Sequence, residues 1–347
     1  MGTNVNQPTV GASTQLAPAG SEDALLSVED LSIEFDLGKT KARVVHNVSF
    51  HVKPGETLGV VGESGSGKSV TALSLARLLP PNASIASGKI MFEGRNVLDL
   101  PLDEVRALRG RRMGFIFQDP MTSLNPTKTI GSQVAEPART HLGMSKKQSL
   151  AHAAELLSRV GIPRAKDRLR DYPHQFSGGM RQRVMIAIAI ACNPALLIAD
   201  ESTTALDVTT QAQILELIQS LSEEYRTAVL FITHDLAVAS SMCDRINVMY
   251  GGEIVESAET DELFSSPKMP YTSALMRCIP TLEDDPDMPF APIMGLPPDA
   301  SEPLIGCRFM ARCEFAQDIC ATRPQLLLRS SGHSARCWGT EEDGWIK

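Results

Sequence analysis

Four short, nearly continuous apolar runs, Thr57 to Val61, Met113 to Phe117, Ala195 to Ala199 and Ala228 to Thr233, set the frame of this chain. Runs of that length without polar alternation read as strands buried on both faces, as in a parallel sheet. Between and after them, Ser69 to Leu79, Lys147 to Val160, Val184 to Cys192 and Thr209 to Glu224 carry apolar residues at helical spacing. From Leu25 to about Arg95 the pattern is mostly strand, including the alternating Ser27 to Phe35, with a turn at Lys53-Pro54-Gly55-Glu56. From Met121 to Asp171 it is helical, and Ile246 to Val255 reads as a hairpin turning at Gly251-Gly252. The expected fold is therefore α/β, with a helical stretch interrupting the alternation.

Between the first apolar run and its helix lies Gly62-Glu63-Ser64-Gly65-Ser66-Gly67-Lys68-Ser69, a match to G-x-x-x-x-G-K-[ST] in the strand–loop–helix context that pattern requires. Its glycines let backbone N–H groups close on phosphate oxygens, and the helix start adds a favourable dipole. Lys68 is expected to neutralise the β- and γ-phosphates of a nucleoside triphosphate, and Ser69 to ligate Mg²⁺. The run from Ala195 ends in Asp200 and Glu201, at the carboxyl end of a parallel strand where ligands of open α/β folds bind. Asp200 is placed to hold Mg²⁺, and Glu201 to orient or deprotonate an attacking water.

Upstream of that strand, Phe176-Ser177-Gly178-Gly179-Met180-Arg181-Gln182-Arg183 opens a helix and makes a second anion site, with no lysine of its own. A chain with two phosphate half-sites resembles the nucleotide-binding subunits of ABC transporters, where the signature loop of one subunit closes on the ATP of another. Ser177 and Gly179 are the matching positions, and Met180 in place of the commoner Gln is similar to the dipeptide, oligopeptide and nickel importers. The resemblance implies a P-loop NTPase fold of the ABC type, with an antiparallel β subdomain and a helical subdomain at about 119–185. It also implies further site residues: Gln118 as the Q-loop glutamine, a Mg²⁺ ligand and γ-phosphate sensor, His234 as the switch histidine, Asp207 as the D-loop aspartate, and Phe35 as the ring stacked on adenine. Taken from their sequence alone, Gln118 and His234 read equally as capping or surface residues, and Phe35 as plain core. One departure is Ser202, where the family usually has Pro after the glutamate. Serine leaves φ free and should loosen that turn.

Length and charge fit this reading. The chain has 347 residues, 43% of them hydrophobic, enough for a full α/β core and a smaller domain. A net charge of −8 argues against non-specific nucleic-acid binding. Residues 1–24 are rich in Ser, Thr, Gly, Pro and Ala and lack the basic and apolar segments of an export signal, so a flexible tail is expected. No apolar run reaches the length that spans a membrane. With no internal duplication, the second ATPase subunit must be another chain. The resemblance makes the pair a heterodimer, docked on two permease subunits at the cytoplasmic face of the bacterial inner membrane, with an extracytoplasmic solute-binding protein delivering peptide, or nickel or another small solute.

Past the nucleotide-binding domain, 25–266, the extension 267–347 is Pro- and Asp-rich and holds Cys307, Cys313, Cys320 and Cys337, four of the seven cysteines, spaced C-x5-C-x6-C-x16-C. Disulfides are disfavoured in a cytosolic ATPase. Four thiolates suit zinc or an iron–sulfur cluster, although the missing C-x2-C pairs weaken the zinc reading, and unligated thiols remain an alternative. In oligopeptide and dipeptide importer ATPases, which this tail resembles, such a set can hold a [4Fe–4S] cluster. His333 reads as a neighbouring polar residue sooner than a substitute ligand, and Cys192, Cys243 and Cys278 as buried small hydrophobes.

Overall fold

A computed structural model describes residues 23–202, 207–279, 292–299 and 305–339. The expected N-terminal tail up to residue 22, the Thr204 to Leu206 approach to Asp207 and most of the Pro- and Asp-rich segment lie outside these residues.

Two sheets carry the fold. The larger has eight strands, and its centre is parallel: Arg245–Tyr250, Thr57–Val61, Ala228–Thr233, Leu196–Asp200 and Met113–Ile116 lie side by side in that order. These central strands are mostly apolar because both faces are covered. Ala228, Leu230 and Ile232 enter one hydrophobic core with Leu58, Val60, Leu196 and Ile198, while Val229 and Phe231 enter the other with Val61, Leu197 and Ala199. Each fully buried side chain of this size contributes about 1.5–3 kcal/mol.

The smaller sheet is antiparallel. Lys41–Val52, Leu26–Asp36, Ala83–Phe92 and Arg95–Asn96 pair in that order, and Leu26, Ile33, Val45 and Ile90 pack into the first of the two cores. The second core is closed by helices Ile130–His141, Lys146–Arg159 and Gly178–Ile190. Ser145 starts the second of these with a reciprocal capping box to Gln148. The helix after the phosphate loop is shorter than its apolar spacing predicts. It runs Lys68–Leu75, and Arg77 turns left-handed at φ 51°, its guanidinium donating to the Leu100 carbonyl at 2.7 Å, ahead of Pro80 and Pro81.

Composition alone suggested a C-terminal extension with little core of its own. In the fold it is built into the ATPase sheet. Glu253–Glu259 pairs with Arg245–Tyr250 through a turn at Gly251 and Gly252, both at positive φ. His333–Ala335 then pairs with Glu253–Glu259, and Leu327–Ser330 completes the edge. Acidic side chains on the ATPase side meet basic ones from the extension. Buried Glu253 pairs with Arg323 and Arg336, and Glu256 accepts from His333 Nε2 at 2.7 Å with both side chains fully buried. His333 is thus held by Glu256, with its Nδ1 3.2 Å from Glu262.

Candidate functional site

The phosphate loop lies where the central strand Thr57–Val61 gives way to helix Lys68–Leu75. Two of its glycines are sterically required. A Cβ at Gly62 would stand 2.0 Å from the Met249 carbonyl oxygen, and Gly67, at φ 100°, would meet Met249 and Val44. From outside the loop, the Gly252 N–H donates to the Ser66 carbonyl at 3.0 Å. Lys68 Nζ donates to the carbonyls of Gly62 and Glu63 at 2.7 and 2.9 Å. Burial lowers its pKa, opposed by the charges of Glu201, Asp200 and Glu63.

The carboxylates predicted from the strand end converge on the same place. Ser69 Oγ donates to Asp200 Oδ1 at 2.8 Å, so the two proposed Mg²⁺ ligands share one spot. Burial raises the pKa of Asp200 and the Ser69 hydrogen bond counters it, an environment in which a cation would restore the ionised form. Gln118 Nε2 donates to Glu201 Oε2 at 2.7 Å, and His234 Nδ1 lies 3.6 Å from Oε1 of the same carboxylate. Glu201 is itself at a positive φ of 43°, which only its surroundings sustain. Ser202 follows, buried, and its hydroxyl has no partner among the described residues. Gln118, Glu201, His234, Lys68 and Ser69 share one cavity of about 1170 Å³, whose far wall includes Phe35. Its size and its cation, hydroxyl and carboxylates fit a nucleoside triphosphate with a divalent metal.

Comparison with known proteins decides the family. A family model described as ABC transporter matches residues 45–204, and one described as the C-terminal region of oligopeptide/dipeptide transporters matches residues 255–320. The probable peptide ABC transporter ATP-binding protein y4tR of Sinorhizobium fredii is 50% identical over 92% of this chain and 96% of its own. The oligopeptide transport ATP-binding protein OppD of Bacillus subtilis is 46% identical over 90% of this chain and 88% of its own. The chain belongs to the oligopeptide/dipeptide family of ABC transporter ATP-binding proteins. Among solved structures, a dimeric post-hydrolysis state of the ATP-binding cassette MJ0796 bound to ADP and Pi superposes with a TM-score of 0.62. It is 30% identical and covers 68% of this chain and 98% of that one.

In this ABC ATPase, Ser177 and Gly179 do not line the cavity of the phosphate loop. Ser177 caps helix Gly178–Ile190, its Oγ accepting from the Met180 N–H at 3.3 Å. Gly179 packs so closely that a Cβ would stand 2.6 Å from Thr210 Cγ2. Thr210 is in turn held by Asp207, which caps helix Val208–Tyr225 and accepts from both the Thr210 N–H and hydroxyl, at 2.9 and 2.7 Å. Asp207 and Gly179 therefore meet through one threonine, a link that spacing along the chain does not reveal.

The cysteines of the extension are free thiols gathered in one small module. Burial pushes Cys307 and Cys313 up to about 11 and also raises Cys337, and charge on the other cysteines of the set would push further in the same direction. Among the described residues no group of three or more His, Cys, Asp or Glu is arranged to hold a metal ion. Outside the module, burial raises the Cys192 and Cys243 thiols, and Cys278 bonds to the Ala274 carbonyl.

Several site residues have no sequence signal of this kind. Pro297 and Asp299 of the extension line the nucleotide cavity, and Tyr271 and Arg312 bond to Glu63 of the phosphate loop. All four are remote in sequence from the motifs they join. No helix among the described residues is long and apolar enough to cross a membrane.

Proposed function

We propose that this ABC ATPase powers import of di- and oligopeptides, working at the cytoplasmic face of the bacterial inner membrane. It would pair with a second ATPase subunit, as a heterodimer, on two permease subunits fed by an extracytoplasmic solute-binding protein. The observation that carries the peptide reading is that the similarity to peptide-transport ATP-binding proteins runs through both the ATPase core and the C-terminal region. Residues 25–266 form the nucleotide-binding domain in this reading and 267–347 its peptide-importer extension.

In the hydrolytic step Glu201 orients and deprotonates water, with Gln118 bonded to one of its oxygens and His234 beside the other. Lys68 and the N–H groups of Gly62 to Ser69 hold the phosphates, and Phe35 stacks on adenine. Ser69, Asp200 and Gln118 are the residues to hold Mg²⁺, which when bound neutralises charge building on the phosphates. Ser177, Gly178, Gly179 and Asp207 act on the partner's ATP.

Reconstitution with permeases, partner ATPase and binding protein should give ATP-dependent uptake of labelled peptide, abolished by Lys68→Ala. Uptake of nickel with no response to peptide would transfer the same ATPase chemistry to the metal importers.

The finer reading for the four cysteines is a [4Fe–4S] cluster. Its support is their shared module and the mutual repulsion that four thiolates would need a cation to relieve. No step of hydrolysis passes through it. Anaerobically purified protein should carry about four irons per chain and absorb near about 400 nm. One zinc per chain would replace the cluster with a tetrahedral site, and no metal would leave four free thiols.

A further inference from the structure

Glu63, the first variable residue of the phosphate loop, is gripped from outside the ATPase core. Its N–H donates to Tyr271 Oη at 3.0 Å. Its carboxylate accepts two hydrogen bonds from Arg312, at 2.6 and 2.9 Å, the bidentate geometry in which guanidinium pairs hold best. The Arg312 side chain is only 4% exposed, so water screens this pair weakly. The guanidinium has further partners. It donates to Tyr250 Oη at 3.3 Å, and to the carbonyls of Ile293 and Met294 at 3.1 and 3.0 Å. Those carbonyls belong to the same segment as Pro297 and Asp299, which wall the nucleotide cavity. Beneath the pair, Tyr250, Tyr271 and Phe309 pack as an aromatic triangle with centroids 4.4 to 5.3 Å apart, so the guanidinium sits on a rigid floor.

One buried side chain thus holds two parts of the cavity's surroundings at once, the start of the phosphate loop and the segment that carries Pro297 and Asp299. We propose that Arg312 is a positioning residue for the nucleotide, through which the C-terminal extension sets the affinity of the ATP site. The inference rests on the reading of this cavity as the ATP site. Arg312 itself need touch no phosphate. It holds Glu63, and with it the loop, in the shape that receives phosphate, so its loss should weaken nucleotide binding while leaving the reacting groups at Glu201 in place.

The test uses the full chain for ATP titration and the assembled transporter for kinetics. Arg312→Met should raise Kd and KM for ATP roughly 10- to 100-fold, the scale on which a misplaced site loses binding, with kcat at saturating ATP nearly unchanged. Arg312→Lys keeps the charge and cannot bridge the carboxylate and both carbonyls, so it should fall between Met and wild type. If Arg312 acts through Glu63, adding Glu63→Gln to Arg312→Met should raise KM no further. A packing role alone would lower the melting temperature of both variants without the KM–kcat split. If Arg312→Met does not fold, Arg312→Lys decides the matter: ATP affinity and KM equal to wild type overturn the proposal. Failure of the wild-type chain itself to bind ATP would overturn the site reading instead.

Discussion

The proposed hydrolysis concentrates its chemistry in one carboxylate, that of Glu201. A hydrogen bond from Gln118 fixes one oxygen and His234 approaches the other, while a left-handed backbone aims the side chain from the strand end into the cavity. Glu201→Gln keeps the shape and the backbone and removes the basic oxygen. Steady-state ATPase of the assembled transporter should fall by about 10²–10⁴-fold, with ATP binding retained. Turnover within a few-fold of wild type would remove Glu201 from the role of base. At this scale the sequence was informative wherever chemistry dictates spacing: the phosphate loop, the paired carboxylates, Gln118 and His234 all line or flank one cavity. It was silent on Arg312 and Tyr271, because a side chain that holds another side chain leaves no fixed interval to read.

The two helices that begin at Ser177 and Asp207 behave as one unit at the element scale. Thr210 Cγ2 fills the space where Gly179 lacks a Cβ, and Thr210 cannot rotate away without giving up its bond to Asp207. Gly179→Ala should therefore cost about 1–3 kcal/mol as an overpacked contact, read as a lower thermal midpoint. Adding Thr210→Ser, which removes the methyl and keeps the hydroxyl, should restore most of it. No recovery in the double variant would mean that the glycine is needed for its backbone alone. Short apolar runs identified the parallel strands well, since few environments besides a sheet covered on both faces keep every residue of so short a run from water. Helix ends were less legible, and Lys68–Leu75 stops short of its apolar spacing because Arg77 turns left-handed there.

For the whole molecule, the least legible feature was how the extension joins the core. Its composition suggests a loosely built tail, yet its strand His333–Ala335 is part of the ATPase sheet, and buried acids on one side face basic groups on the other. Nothing local announces this, because a three-residue strand carries no periodicity and Glu253 and Glu256 look like surface charges until their partners arrive. That arrival has an order in time. Between Glu259 and His333 the ribosome must add 74 positions (333 − 259), about 4–15 s at roughly 5–20 residues per second. Until His333–Ala335 adds to it, the strand Glu253–Glu259 has a partner strand on one side alone. Glu253 and Glu256, which later take partners from the extension, are then carboxylates on that edge, a device that discourages pairing with a neighbouring chain. The same glutamates thus guard the unfinished sheet during synthesis and lock it once the extension has been made.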